Sequence, residues 1–276
     1  MKYLITILIS YFIINTYSYS QNFNNPESVA YDKLNDRFIV SNKGGDNLAQ
    51  IDKYWKVTNY YENCNAPKGL HIDNNRLYVA TNEAVLVFNL ETDLLVKTIE
   101  VQGATFLNDI ITDKNGFLYV SGMRQNKIHR IDLKTNEYSL FIDTEQNSPN
   151  GLFYDEENES IYIGYRSGGD RTFAIYNMDG EELKVKKLDH SIDGIACSKD
   201  GYLFFSNWNP AGVYRISFDL EGEIETVSSD HEGPADFKII QKNGRQILVV
   251  PNFLRNTVDF IYLDDNNITE LFKTVE

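Results

Sequence analysis

Six segments of nearly equal length fill the chain from residue 26 onward, and no other feature limits its possible folds so strongly. They open at Pro26, Pro67, Leu107, Pro149, Ile192 and Pro234, at intervals of 41, 40, 42, 43 and 42 residues. Each segment reads as four β runs. The first is short and apolar, as in Gly69-Leu70-His71-Ile72 and Gly151-Leu152-Phe153-Tyr154. A tight turn follows, such as Asp113-Lys114-Asn115-Gly116 or Lys199-Asp200-Gly201, whose Asn-Gly and Asp-Gly pairs tolerate the positive φ of a hairpin. The second run is the most regular, from Arg37-Phe38-Ile39-Val40 to Ile247-Leu248-Val249-Val250, and the fourth is the most polar. Repeats of about forty residues with four strands each are the pattern of a propeller, in which a blade buries its faces only by packing against neighbours around an axis. The expected fold is all-β: one domain over residues 21–276, a six-bladed β-propeller with four antiparallel strands per blade. No spare strand is visible that would cross between the first and last blades.

Residues 1–20 stand outside this repeat and read as a cleaved secretory signal. Lys2 gives a positive start, Tyr3 to Ile14 is an apolar run too short to span a bilayer, and Ser18 and Ser20 precede a cut before Gln21. The expectation is an exported protein, periplasmic or secreted, without a membrane partner after cleavage. The formal net charge of −14 argues against nucleic acid and anionic lipid as partners. Cys64 lies in a polar loop and Cys197 follows an apolar strand start; the reading preferred here is one loop thiol and one buried thiol rather than a bridge, with neither in a metal or redox motif.

In a propeller the inner strands line the central channel, so their first residues meet at one rim. The residues after each opening are Glu27, Lys68, Asn108, Asn150, Asp193 and Ala235. Two carboxylates facing each other there would repel unless a cation, a shared proton or Lys68 offsets the charge. Glu27, Asn108, Asn150 and Asp193 make an all-oxygen set, which suits Ca²⁺ first and Mg²⁺ or Mn²⁺ next. Polar residues at strand starts also commonly bond to neighbouring loop backbone, so the pattern alone leaves both readings open. The loops between second and third strands should surround the same rim; they bring Lys43, Arg124, Arg166, Trp208 and Phe253, a mixture that suits a small polar or anionic ligand.

Pro26-Glu27-Ser28-Val29, Leu107-Asn108-Asp109, Ser148-Pro149-Asn150-Gly151-Leu152 and Ile192-Asp193-Gly194-Ile195 resemble the gluconolactonase/regucalcin (senescence marker protein) family. The resemblance covers the whole chain after the leader and implies a six-bladed propeller with one divalent cation held by Glu27, Asn150 and Asp193. It implies that Asn108 contacts the substrate and the metal's water. Sugar lactonases of that family tend to carry Arg two residues before this Asn; Phe106 stands there, which argues against a gluconolactone-like substrate.

Two functions remain open on the sequence. One is a metal-dependent hydrolase of lactones or related small esters, with Asp193 as base and Asn108, Lys68, Trp208 and Arg166 contacting substrate. The other is a propeller that binds a small ligand or partner without chemistry. A strictosidine-synthase-like condensation ranks last, because Ala235-Asp236 stands where a catalytic Glu would be wanted. No Ser–His–acid triad is apparent around His71, His129, His190 or His231.

Overall fold

The computed structural model describes residues 22–145, 147–167, 172–263 and 269–276. The leader over residues 1–20 lies outside the described residues. Twenty-four strands form six four-stranded sheets, each antiparallel and each ordered from inner to outer strand in chain sequence. In blade one these are β1 (Pro26–Asp32), β2 (Arg37–Asn42), β3 (Asn47–Ile51) and β4 (Val57–Glu62). Among the described residues the one helical element is a single 3₁₀ turn, Lys43–Gly45, between β2 and β3. The outer strands are the polar ones: Leu94–Glu100 is exposed except for half-buried Leu95 and buried Ile99, whereas Leu107–Thr112 is buried throughout.

The apolar side chains collect between blades rather than within them. Leu107, Ile110, Leu118 and Val120 of blade three pack on Tyr78, Val85 and Val87 of blade two. Ile111, Tyr119 and Ile128 on the opposite face of the same blade pack on Leu152, Ile161 and Ile163 of blade four. This is the two-sided burial that period-two alternation dictates. The ring closes in the same way. Val29, Phe38, Val40 and Ala49 of blade one interlock with Ile247, Val249, Val258 and Phe260 of blade six, and Phe23 seals the seam with no exposed surface. No strand is exchanged across this seam among the described residues. The Asp236 N–H donates to the Glu27 carbonyl at 2.9 Å, and Asn25 donates to the Asn256 side chain and the Phe253 carbonyl.

At the hub the inner strands of blades one, three and four are bulged, and serines bind the backbone of the strand starts. Ser121 Oγ accepts from Asp109 N at 2.9 Å and donates to the Asn150 carbonyl of the next blade at 2.8 Å. Ser206 Oγ repeats this, accepting from Gly194 N and donating to the Ala235 carbonyl, both at 2.8 Å. Such groups are out of reach of water and need these partners. The hub is also too tight for side chains at certain positions. A Cβ on Gly194 would sit 2.6 Å from Asp236 Cα and 3.0 Å from Phe237 N, both backbone atoms. Gly194→Ala is therefore expected to destabilise the wheel by about 1–3 kcal/mol, the usual cost of overpacking; a chemical denaturation midpoint unchanged from the parent would show that the hub can open.

Cys64 departs from the sequence reading. It is the more buried thiol, 1% exposed, packed with Leu70, Leu77 and Phe88 between blades one and two, while Cys197 is half-buried. Asn63, Asn65 and Ala66 all take positive φ, and this turn swings the Cys64 side chain inward out of an otherwise polar loop. The two thiols are free, and burial pushes them up to about 12 and about 11.

Candidate functional site

Glu27 is the second residue of the buried strand β1, Asn108 and Asn150 lie near the starts of the inner strands Leu107–Thr112 and Ser148–Asp155, and Asp193 precedes the short inner strand Ile195–Cys197. All four side chains are at most 9% exposed, although none belongs to an apolar class. The topology joins them around one rim. Asn108 Nδ2 donates to Asn150 Oδ1, and Asn150 Nδ2 donates to the Ile192 carbonyl at 3.0 Å, next to Asp193. With its nitrogen held by Ile192, the Asn150 amide has its oxygen turned toward Asn108.

The two carboxyls feel each other. Burial pushes Asp193 well above the usual carboxylate range, and the Glu27 charge pushes it further, while Arg166 and Lys43 pull it back. Burial also raises Glu27, against Lys43 and Lys68. Two polar atoms at this rim are buried without a hydrogen-bond partner among the described residues, Glu27 Oε2 and Asn108 Oδ1. Buried acceptors are rarely left this way, and each costs about 1–3 kcal/mol unless something donates to it or coordinates it. Among the described residues no three or more His, Cys, Asp or Glu converge as a metal-holding group. A cation here would therefore rest on two carboxylates plus amide oxygens, a hard-oxygen donor set. The orphaned oxygens fit such an ion.

Lys68 is completely buried, yet it does not occupy that position. Its ammonium donates to the Ala66 carbonyl at 2.7 Å and to Asn82 Oδ1 at 3.1 Å, and no carboxylate lies within 4.0 Å of it among the described residues. Burial pulls its pKa down to about 7, helped by Lys43 and opposed by Glu27. Lys43 is the nearer counter-charge, 3.9 Å from Glu27 Oε1. The sequence placed Lys43 in a rim loop without giving it this role; the only signal for it was its place directly after β2.

Phe106 sits among cations. Lys68 Nζ, Arg124 Cζ and Lys43 Nζ lie 4.5, 4.7 and 5.0 Å from its ring centroid. Lys43 and Lys68 can thus be no further apart than the sum of their distances, 9.5 Å. At an effective dielectric of about 20 they repel by about 2 kcal/mol or more, which the ring's negative face only partly offsets. Lys43 also reaches the Phe253 ring at 5.0 Å, Phe253 leans on Trp208 at 5.2 Å, and Arg166 lies 5.5 Å over Trp208. Every blade therefore adds a cationic or aromatic side chain to one crown over the hub. Trp208 Nε1 is buried and lacks a partner among the described residues.

Below the rim a second layer holds Asp109, Asp236 and Lys238. Lys238 Nζ stands 2.9 Å from both Asp236 oxygens. Burial, with Asp236 nearby, raises Asp109 to about 7. A cavity of about 600 Å³ opens beyond this layer at the other end of the channel, lined by His71, Thr112, Cys197 and Lys238, and it includes none of the rim residues.

One hydrogen-bonded chain was not visible in the sequence. Ser228 Oγ lies 2.8 Å from His231 Nε2, and His231 Nδ1 lies 2.9 Å from Asn252 Oδ1 and 3.6 Å from Asp259. Asn252 donates its amide to Thr257 and Asp259, so its oxygen is the acceptor and Nδ1 carries the proton. This Ser–His–Asn–Asp chain ties the outer strand of blade five to blade six. The spacing of three residues between Ser228 and His231 was the only trace of it.

A family model described as the SMP-30/Gluconolactonase/LRE-like region matches residues 25–236. The chain belongs to this family. The match runs from the start of blade one through the rim residue region of blade six, so it contains Glu27, Asn108, Asn150 and Asp193. Three solved structures similar to this chain are distant from it in sequence. A gluconolactonase of Xanthomonas campestris is 15% identical with a TM-score of 0.67, covering 84% of each chain. The calcium-binding protein regucalcin of Agrobacterium tumefaciens is 14% identical with a TM-score of 0.66, covering 83% of this chain and 82% of its own. A virginiamycin B lyase of Staphylococcus aureus is as similar in shape, 15% identical with a TM-score of 0.69, covering 90% of this chain and 84% of its own. At these identities the likeness is one of fold. Among curated sequences, a BTB/POZ domain-containing protein of Acanthamoeba polyphaga mimivirus is 26% identical over 135 residues, 48% of this chain, and the match spans a quarter of that protein's length. Family and fold together support a lactonase-type propeller.

Proposed function

We propose that the hub rim is the active centre of an exported hydrolase acting on a small lactone or related ester, with a divalent cation, calcium foremost and magnesium or manganese next, held by Glu27, Asn150 and Asp193 with Asn108. The observation that supports it most is the convergence of two buried carboxyls from blades one and five beside the unpartnered Glu27 Oε2 and Asn108 Oδ1. When bound, such an ion polarises a carbonyl and stabilises the charge that develops on its oxygen. The chain's own groups do the rest. Asp193, with its raised affinity for a proton, takes one from water. Asn108 donates its amide N–H to substrate once it turns from Asn150. Trp208 and Arg166 wall the entrance and exclude solvent, and Lys68 faces the bound molecule from its buried position.

The test is turnover of a lactone and ester panel by the metal-stripped protein, then with Ca²⁺, Mg²⁺ or Mn²⁺ restored. Ion-dependent hydrolysis is the expected result; no turnover with any ion would overturn the proposal. Ser228→Ala serves as the internal comparison. It is expected to leave hydrolysis unchanged, and its loss would move the chemistry from the hub to the Ser228–His231 chain. A second reading, a propeller that binds without chemistry, is favoured by Lys43, which already stands 3.9 Å from Glu27. Stabilisation by an ion with no turnover would select it.

A further inference from the structure

The crown over the hub gathers cations that have few carboxylates in contact with them. The chain as a whole is strongly acidic, at −14. Even so, Lys43, Lys68 and Arg124 converge on one ring, Phe106, within 5.0 Å of its centroid. Among the described residues only one carboxylate comes within 4.0 Å of any of the three, Glu27 at 3.9 Å from Lys43. Lys68 has no exposed surface, and its hydrogen bonds go to a carbonyl and an amide oxygen, both neutral. A buried ammonium without an anionic partner is costly, and an anionic group on a ligand would offset that cost. Phe106 offers a flat apolar face among these cations, and Arg124 is exposed at its edge.

We propose that Phe106, Lys68, Arg124 and Lys43 form an anion subsite, so that the substrate of the hub is a lactone or ester bearing a carboxylate or phosphate group beside its ring. This rests on the hub being a ligand site, but not on its being catalytic. A neutral sugar lactone would leave Lys68 unpaired and would be the poorer ligand. Any ion that took up the Glu27 oxygens would release Lys43 from its one near carboxylate and add to the demand for an anion.

The experiment compares two probes that differ in one charge: γ-butyrolactone and 5-oxotetrahydrofuran-3-carboxylate, with inorganic phosphate as a third. Binding to the full chain is read by calorimetry and by quenching of tryptophan fluorescence, in chelator and in calcium. The carboxylate probe is expected to bind at least tenfold more tightly than the neutral ring, and its affinity to fall as salt rises. Lys68→Met and Arg124→Gln should each weaken the carboxylate probe about tenfold and leave the neutral ring unaffected. Arg124 is exposed, so its variant tests the subsite without disturbing the fold. Tighter binding of phosphate than of the carboxylate would assign the group as a phosphate. Equal affinity for charged and neutral rings, or no effect of either variant, would overturn the subsite while leaving hydrolysis to be judged by turnover. Charge-selective binding without turnover would uphold the subsite and remove the hydrolase.

Discussion

Asp193→Asn is expected to lower turnover of a lactone or ester substrate by about 10²–10⁴-fold, the range that a positioned general base contributes. Asn keeps the shape and one carbonyl oxygen but cannot take a proton. Its environment is the reason for choosing it. Asp193 is buried, its carboxyl is raised by burial and by the facing Glu27, and Arg166 and Lys43 pull the other way. Glu27→Gln should act differently. It removes charge from the side of the rim where Oε2 has no partner, so the ion concentration needed for half-activity should rise more than the rate at saturation falls. The measurement is turnover against ion concentration for both variants. Equal activity in Asp193→Asn would remove that residue from the proton transfer.

The second large effect is on stability. An ion at a hundred times its dissociation constant adds about 2.7 kcal/mol to the folded state. For a chain of this size that raises the melting temperature by roughly 5–11 °C. The effect should depend on pH in a defined direction. Folding raises the carboxyls of Glu27 and Asp193 above their ordinary 4.5 and 3.8, so the folded chain holds protons that the unfolded chain has released. In chelator, their contribution is greatest below the ordinary values and is lost as pH rises through the raised ones. Thermal scans across pH should therefore show a loss with rising pH that calcium removes, and that Asp193→Asn reduces. A pH dependence identical with and without calcium would show that no ion relieves the pair.

The wheel was legible because it is periodic. Six apolar strand starts at near-equal spacing fix which residues share a rim, and Glu27, Asn108, Asn150 and Asp193 follow from counting alone. The ring closure was less legible, because it depends on side-chain interlocking by Phe23, Phe38 and Phe260 rather than on an exchanged strand. What spacing could not show is where long side chains end. Lys68 reads as a rim charge and could equally have reached Glu27; its stem instead carries the ammonium to Ala66 and Asn82. Lys43 leaves a 3₁₀ turn and spans from Phe106 to Phe253. Cys64 turns inward because three neighbouring residues take positive φ, which no apolar pattern announces. Ser228 and His231 meet across the blade-five to blade-six connection, where the repeat is least regular.

The most direct test is a crystal structure of the protein grown in calcium. One ion is expected at the hub, with side-chain oxygens of Glu27, Asn150 and Asp193 about 2.3–2.6 Å away. An ammonium from Lys43 or Lys68 seated between the two carboxylates, with no ion bound, would contradict the account.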